Sequence, residues 1–296
     1  MEVLLMKSPL FTGACTALIT PFSNGKVNFS MLETLLQRQM DAGIGTIVLC
    51  GTTGESPTLS SDEKIGIFRH AREYCGTGCT IIAGTGSNST RMAMELSHAA
   101  ENCGVDALLV VSPYYNKATP EGLYAHYRAI AASVHIPVII YNVPLRTGVD
   151  IPVSVYQKLS SIPNIVGVKE ASTDISKTVR ILCTCPDHFT VWSGNDEMTI
   201  PVISLGGAGV ISVTSNVIPD QMQVMTQKAL HGDFQYAATI QKKLLPLMEA
   251  MFCEVNPIPV KTAMKLLGYD CGDCRLPLTT LLPEHENRLK ELLLFS

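Results

Sequence analysis

Charge is scarce in this chain and nowhere concentrated: only 16% of its 296 residues are Asp, Glu, Lys or Arg, the formal net charge is -4, and no basic run occurs. That removes the electrostatic footprint needed for a phosphate backbone or an anionic bilayer, so neither nucleic acid nor membrane is an expected partner. Long apolar runs are missing too. The longest, Ala107 to Ser112 and Pro137 to Tyr141, fall far short of the roughly 20 residues that cross hydrocarbon. The opening MEVLLMKSPL lacks a charged start before a long apolar block, so no secretory signal is expected and the location is read as cytoplasmic. Neither GxxxxGKS/T nor GxGxxG is present, which takes away the best argument for nucleotide binding. The seven histidines include no pair at ligand spacing on a common face and none ends a strand, so no metal is expected. CGDC, Cys271 to Cys274, has no second CxxC or His pair to complete a zinc set and lacks the βαβ setting of a redox motif. Internal repeats and low-complexity linkers are also lacking.

What is present is apolar material, 46% of the chain, at a length that suits one closed α/β barrel with a modest extension. Ten cysteines are spread along it, and some, such as Cys15 and Cys50, sit inside apolar runs where a reduced thiol acts as a small hydrophobe. Eight short β-rich runs begin at Gly13, Thr46, Thr80, Ala107, Pro137, Ile165, Thr190 and Gly209. Each is apolar nearly throughout, as in a strand buried on both faces of a parallel sheet. Between them lie amphipathic segments, Met31 to Ala42, Asp62 to Tyr74, Arg91 to Cys103, Glu121 to Val134 and Asp174 to Cys183, which predict helices.

A doubly wound open sheet alternates in the same way, but eight runs favour a (β/α)₈ barrel. Several runs end in small or reactive groups, such as Gly51-Thr52-Thr53-Gly54, Tyr141-Asn142, Lys169-Glu170 and Ser193-Gly194-Asn195. In a barrel these gather on one rim, where active sites are built. After the eighth run the pattern is helical only, through Gln221 to Leu230, Phe234 to Phe252, Val260 to Leu267 and Glu284 to Leu294. The expected division is a barrel over residues 1–218 and a helical extension over 219–296 packed on its flank.

Lys169 is the most informative residue, because IVGVKEA sets an amine in an apolar strand. Burial should lower its pKa, leaving a fraction neutral and able to attack a carbonyl as an imine-forming nucleophile. The segment alone leaves open that Glu170 pairs with it structurally, or that it ends in solvent. GTTGES, Gly51 to Ser56, follows a strand with no bulky side chain, so amide groups and two threonine hydroxyls can approach a carboxylate; a phosphate or a plain tight turn fits the same composition. Tyr141, Tyr114 and Tyr115 end runs and could relay protons or simply pack. Arg146, in VPLRTG, could take a second carboxylate as a bidentate fork or make a surface ion pair.

GTTGES, GTGSNST, SPYYNKATPEGLYAHY, YNVPLRTG, GVKEAS, LGGAGVISVTSN and NPIPVKTA together resemble the dihydrodipicolinate synthase family, from Phe11 to about Pro283. The resemblance implies the barrel fold with a C-terminal helical extension and condensation of pyruvate with L-aspartate 4-semialdehyde, a step of lysine and diaminopimelate biosynthesis. It also implies a homotetramer of tight dimers and no cofactor beyond a covalent imine with pyruvate. Carried over by motif, Lys169 is the Schiff-base lysine, and Tyr141 exchanges protons with Thr52 and Tyr115, the last reaching into a neighbouring subunit's site. Thr53 and Ile211 hold pyruvate, Gly194 lines the pocket, and Arg146 binds the semialdehyde carboxylate. N-acetylneuraminate lyase and the keto-deoxy sugar acid aldolases share the pyruvate step, but a second small carboxylate needs the cation of VPLRTG and a polyol does not. A binding module that kept the pocket and lost turnover is a third reading, against which the intact relay argues. Many members bind L-lysine at the dimer interface. Of that set Ser56, Asn88 and Tyr114 match here, whereas Ser61, Lys64 and Met92 replace two histidines and a glutamate, so lysine inhibition is expected to be weak or absent.

Overall fold

The computed structural model describes residues 8–294; residues 1–7, most of the segment read for a secretory signal, lie outside them. All eight apolar runs form parallel strands: β1 Gly13–Ala17, β2 Thr46–Leu49, β3 Thr80–Gly84, β4 Ala107–Val111, β5 Val138–Asn142, β6 Ile165–Glu170, β7 Thr190–Ser193 and β8 Gly209–Ser212. They close in sequential order into a barrel, with β8 returning to β1 through the pairs Gly13↔Gly209 and Cys15↔Ile211. Glycine is required at that seam, since a Cβ on Gly209 would lie 2.0 Å from the Gly13 carbonyl oxygen. A short hairpin, Phe22–Ser23 with Lys26–Val27, follows β1.

The strands read as apolar throughout because they face two different cores. One set of side chains, including Cys15, Val48, Ile82, Ile139, Trp192 and Ile211, fills the barrel interior. The alternate set, including Ile47, Ile81, Leu108, Ile140, Val168 and Val191, packs outward against the helices.

The five anticipated helices are present within two residues of their expected ends: α1 Phe29–Asp41, α2 Ser61–Cys75, α3 Thr90–Asn102, α4 Pro120–Ala132 and α6 Ile175–Thr184. Each has a side-chain cap. Ser60 and Glu63 form a reciprocal capping box on α2, Thr119 precedes Pro120 on α4, and Asp174 caps α6. Helices α5 Val153–Leu159 and α7 Thr199–Ser204 and the single turn Pro144–Thr147 were not expected from the sequence, because they span too few turns to display a helical period.

Helix α8, Pro219–Leu230, opens the expected extension, yet it lies on the barrel itself: Gln223 Oε1 accepts from Ala14 N at 3.2 Å. Helices α9 Phe234–Ala250, α10 Ile258–Leu266 and α11 Pro283–Leu293 follow, and α11 packs on both α9 and α10. The segment around α10 ties this region to the GTTGES loop. Lys261 Nζ donates to Glu55 Oε1 at 2.7 Å, and the Arg275 amide donates to Glu55 Oε2 at 2.9 Å. The Arg275 guanidinium takes Glu63 at 2.9 and 2.5 Å, holding that carboxyl down at about 2, and both cations lie 4.2 Å from the Phe22 ring. Among the described residues no helix is long and apolar enough to cross a membrane.

Candidate active site

Which way Lys169 points depends on a bulge. Strand β6 pairs with β5 through Val138↔Ile165 and then Ile139↔Gly167, so β6 holds one extra residue there. Ile165 and Val168 both belong to the outward core, whereas Val166 packs on the interior one. Strict alternation from Ile165 would send residues 167 and 169 outward; the bulge at Gly167 shifts the parity and turns Lys169 into the barrel. Only glycine fits, because a Cβ at 167 would meet the Thr190 carbonyl oxygen at 2.0 Å.

Inside, Lys169 is 5% exposed and its Nζ lies 4.5 Å from the centroid of the Tyr141 ring, on the register-paired residue of β5. Cys15 lies close enough for the lysine charge to act on its thiol, which burial nonetheless pushes far above the usual range. Among the described residues Lys169 has no carboxylate partner. Glu170, weighed above as its structural mate, faces the opposite way and takes Lys177 at 3.6 Å. An amine enclosed by apolar walls and one tyrosine, without a counter-ion, is suited to nucleophilic attack on a carbonyl.

The GTTGES loop follows β2, with Glu55 (φ 56) and, just before the loop, Cys50 (φ 53) held in the left-handed region. Thr53 is buried, and its Oγ1 accepts from Asn256 Nδ2 at 3.0 Å. Thr52 is half-buried, and among the described residues neither the Thr52 nor the Thr53 amide has an acceptor, which leaves two adjacent N–H donors for an anion. Arg146 is exposed on the turn after β5 and reaches the Asn256 carbonyl at 3.4 Å. Asn256 therefore touches both residues read as carboxylate binders, and its Oδ1 is buried with no partner among the described residues. It was overlooked as a site residue although NPIPVKTA contains it. Ile211 is fully buried in the interior on β8. Gly194 follows β7 and donates to the Glu170 carbonyl at 2.7 Å; a Cβ there would press on Ala171 Cβ at 2.5 Å.

Tyr115 is not brought to the others within one chain. It is 87% exposed on a strained residue (φ 69), and among the described residues no hydrogen bond links it to Tyr141 or Thr52.

A sequence profile described as the Dihydrodipicolinate synthetase family matches residues 10–294. The chain belongs to that family. The 4-hydroxy-tetrahydrodipicolinate synthase of Acetivibrio thermocellus is 46% identical over 288 residues, 97% of this chain and 98% of the relative. A solved dihydrodipicolinate synthase from Aquifex aeolicus superposes with a TM-score of 0.94 at 44% identity, over 96% of this chain and 97% of that one. The Acinetobacter baumannii enzyme, solved in complex with pyruvate, superposes at 0.93 with 42% identity, over 96% and 98% of the two chains.

Of the positions expected from the family resemblance to match a lysine-binding set, Ser56 and Asn88 are half-buried and Ser61 is exposed at the start of α2. Met92 is 51% and Tyr114 37% exposed. Lys64 is half-buried, and that burial lowers its pKa. Cys271 and Cys274 of CGDC are pushed up to about 11 and about 12 by burial, which is the behaviour of packing thiols rather than reactive ones. All ten cysteines are unpaired.

Proposed function

We propose that this chain is a 4-hydroxy-tetrahydrodipicolinate synthase that condenses pyruvate with L-aspartate 4-semialdehyde through an imine on Lys169, in lysine and diaminopimelate biosynthesis. The observation that carries the reading is Lys169 itself, at the end of a barrel strand, buried against Tyr141 and without a counter-ion among the described residues. The Thr52 and Thr53 amides and hydroxyls hold the pyruvate carboxylate while Lys169 attacks the ketone and water leaves. The iminium acts as an electron sink, so the methyl group loses a proton to Tyr141 and becomes an enamine, which attacks the semialdehyde, whose own carboxylate is bound by Arg146. The product amine then displaces Lys169 and closes the ring. Tyr141, Thr52 and Tyr115 carry protons between these steps; Ile211 and Gly194 shape the pocket. No organic cofactor or metal is required.

Tyr115, projecting from its own chain, serves the site of a neighbouring subunit in a homotetramer built of tight dimers. The protein works in the cytoplasm, on small molecules, with residues 1–218 as the catalytic barrel and 219–296 as the extension. The test is choice of aldehyde. With pyruvate as co-substrate, kcat/KM for L-aspartate 4-semialdehyde should exceed that for a sugar aldehyde by about a hundredfold or more; the reverse order would make the chain a sugar acid aldolase.

Lys64 places a cation where a cationic ligand would sit, and Met92 supplies no acidic acceptor, so we expect weak or absent inhibition by L-lysine. Half-maximal inhibition at submillimolar L-lysine in an initial-rate assay would refute this.

A further inference from the structure

Behind the two strands that carry Tyr141 and Lys169 lies a buried polar cluster in a layer that is mostly apolar. Asn142 follows Tyr141, Glu170 follows Lys169, and strand alternation sends both outward, beneath helices α5 and α6. Asn142 Nδ2 donates to Glu170 Oε1 and to Asp150 Oδ1, each at 2.8 Å, while Asn142 Oδ1 accepts from Ile151 N at 3.1 Å. Glu170 Oε1 also accepts from Ser172 N at 2.8 Å, and Glu170 Oε2 from the Tyr156 hydroxyl at 3.4 Å. Lys177, from α6, bridges Asp150 and Glu170. Asn142 is 0%, Glu170 4% and Lys177 4% exposed.

A buried ion cluster adds little net stability over apolar side chains of the same volume, whereas its bonds fix geometry closely. We propose that Asn142 and Glu170, backed by Lys177, are positioning residues that lock β5 to β6 so that Lys169 is held against Tyr141. The inference rests on Lys169 being the imine-forming amine. The lock bridges register-paired residues one step beyond Tyr141↔Lys169, so a slip there moves both inward groups. Displacing a reacting group by about 1 Å can lower a rate about a hundredfold.

The experiment follows pyruvate-dependent imine formation by borohydride reduction and intact mass. Rates are divided by the adduct reached at long times, so that an inactive fraction does not count. Asn142→Ala and Glu170→Leu should form the imine about 30- to 100-fold more slowly per titrated site. Glu170→Gln keeps an acceptor for Asn142 and for the Ser172 amide, and should stay within about fivefold of wild type, the worth of one ordinary hydrogen bond. Asn142→Ala leaves the Lys177 ion pairs in place and carries the comparison if Glu170→Leu does not fold. Wild-type rates in Asn142→Ala would overturn the lock alone, as would Glu170→Gln losing as much as Glu170→Leu. A wild-type chain that gains no mass on Lys169 would overturn the lock together with the nucleophile assignment.

Discussion

Replacing Lys169 with alanine should abolish the reducible pyruvate adduct and lower turnover by about four orders of magnitude or more, as expected when a covalent nucleophile is removed. The residual rate would come from groups that survive the change: the paired amides of Thr52 and Thr53, Arg146, and Tyr141 on the facing strand. On the proposed mechanism these would still gather the two substrates, but they offer no sink for the electron pair left when the methyl proton departs. Stability should respond differently. Lys169 makes no ion pair among the described residues, and its partner across the strands is the face of an aromatic ring at 4.5 Å. Its loss therefore removes one cation–ring contact and some packing, and leaves no stranded charge. The melting temperature should move by only a few degrees, in contrast to the collapse of activity. A Lys169→Ala chain that retained wild-type turnover, or a pyruvate adduct on another lysine, would sink the mechanism.

The barrel was legible because burial on both strand faces leaves a plain mark, eight apolar runs separated by helix-length segments. The five longer helices were legible for a related reason: several turns repeat the apolar spacing, and Ser60, Thr119 and Asp174 supply caps at their starts. Lys169 was read as a buried amine, yet the sequence did not reveal the direction in which it points. That depends on a one-residue bulge at Gly167, which belongs to the pairing of β6 with β5 and not to either segment alone. The same limit explains Glu170. Adjacent in sequence, it was weighed as a partner for Lys169, but neighbouring side chains on a strand face opposite ways, and its cation is Lys177 from the next helix. Asn256 was hidden for a third reason. It lies about 200 positions from Thr53 in the chain, and no local pattern signals a contact made by folding an extension back over a rim.

Lys261→Met tests whether that extension holds the GTTGES loop, the proposed site of the pyruvate carboxylate. Both partners of the Lys261–Glu55 pair are almost completely buried, with side-chain exposures of 2% and 0%. Removing the ammonium leaves the Glu55 carboxylate, 1% exposed, with the Arg275 amide at 2.9 Å and the Cys274 thiol as its donors. Breaking a buried pair from one side typically costs about 3–5 kcal/mol, which for a chain of this size should lower the melting temperature by about 5–8 °C. Because Glu55 sits in the left-handed region two residues from Thr53, the strain of the loop would no longer be opposed by the pair. The Thr52 and Thr53 amides would lose their alignment, and the KM for pyruvate should rise about tenfold. The double variant Glu55→Gln/Lys261→Met carries no unpaired charge and should regain most of the melting temperature. If that variant also regains the KM, the charge was needed only for folding. If it keeps a raised KM, the pair holds the loop as well. A Lys261→Met chain with unchanged melting temperature and unchanged KM would show that the extension neither stabilises the barrel through this pair nor shapes its site.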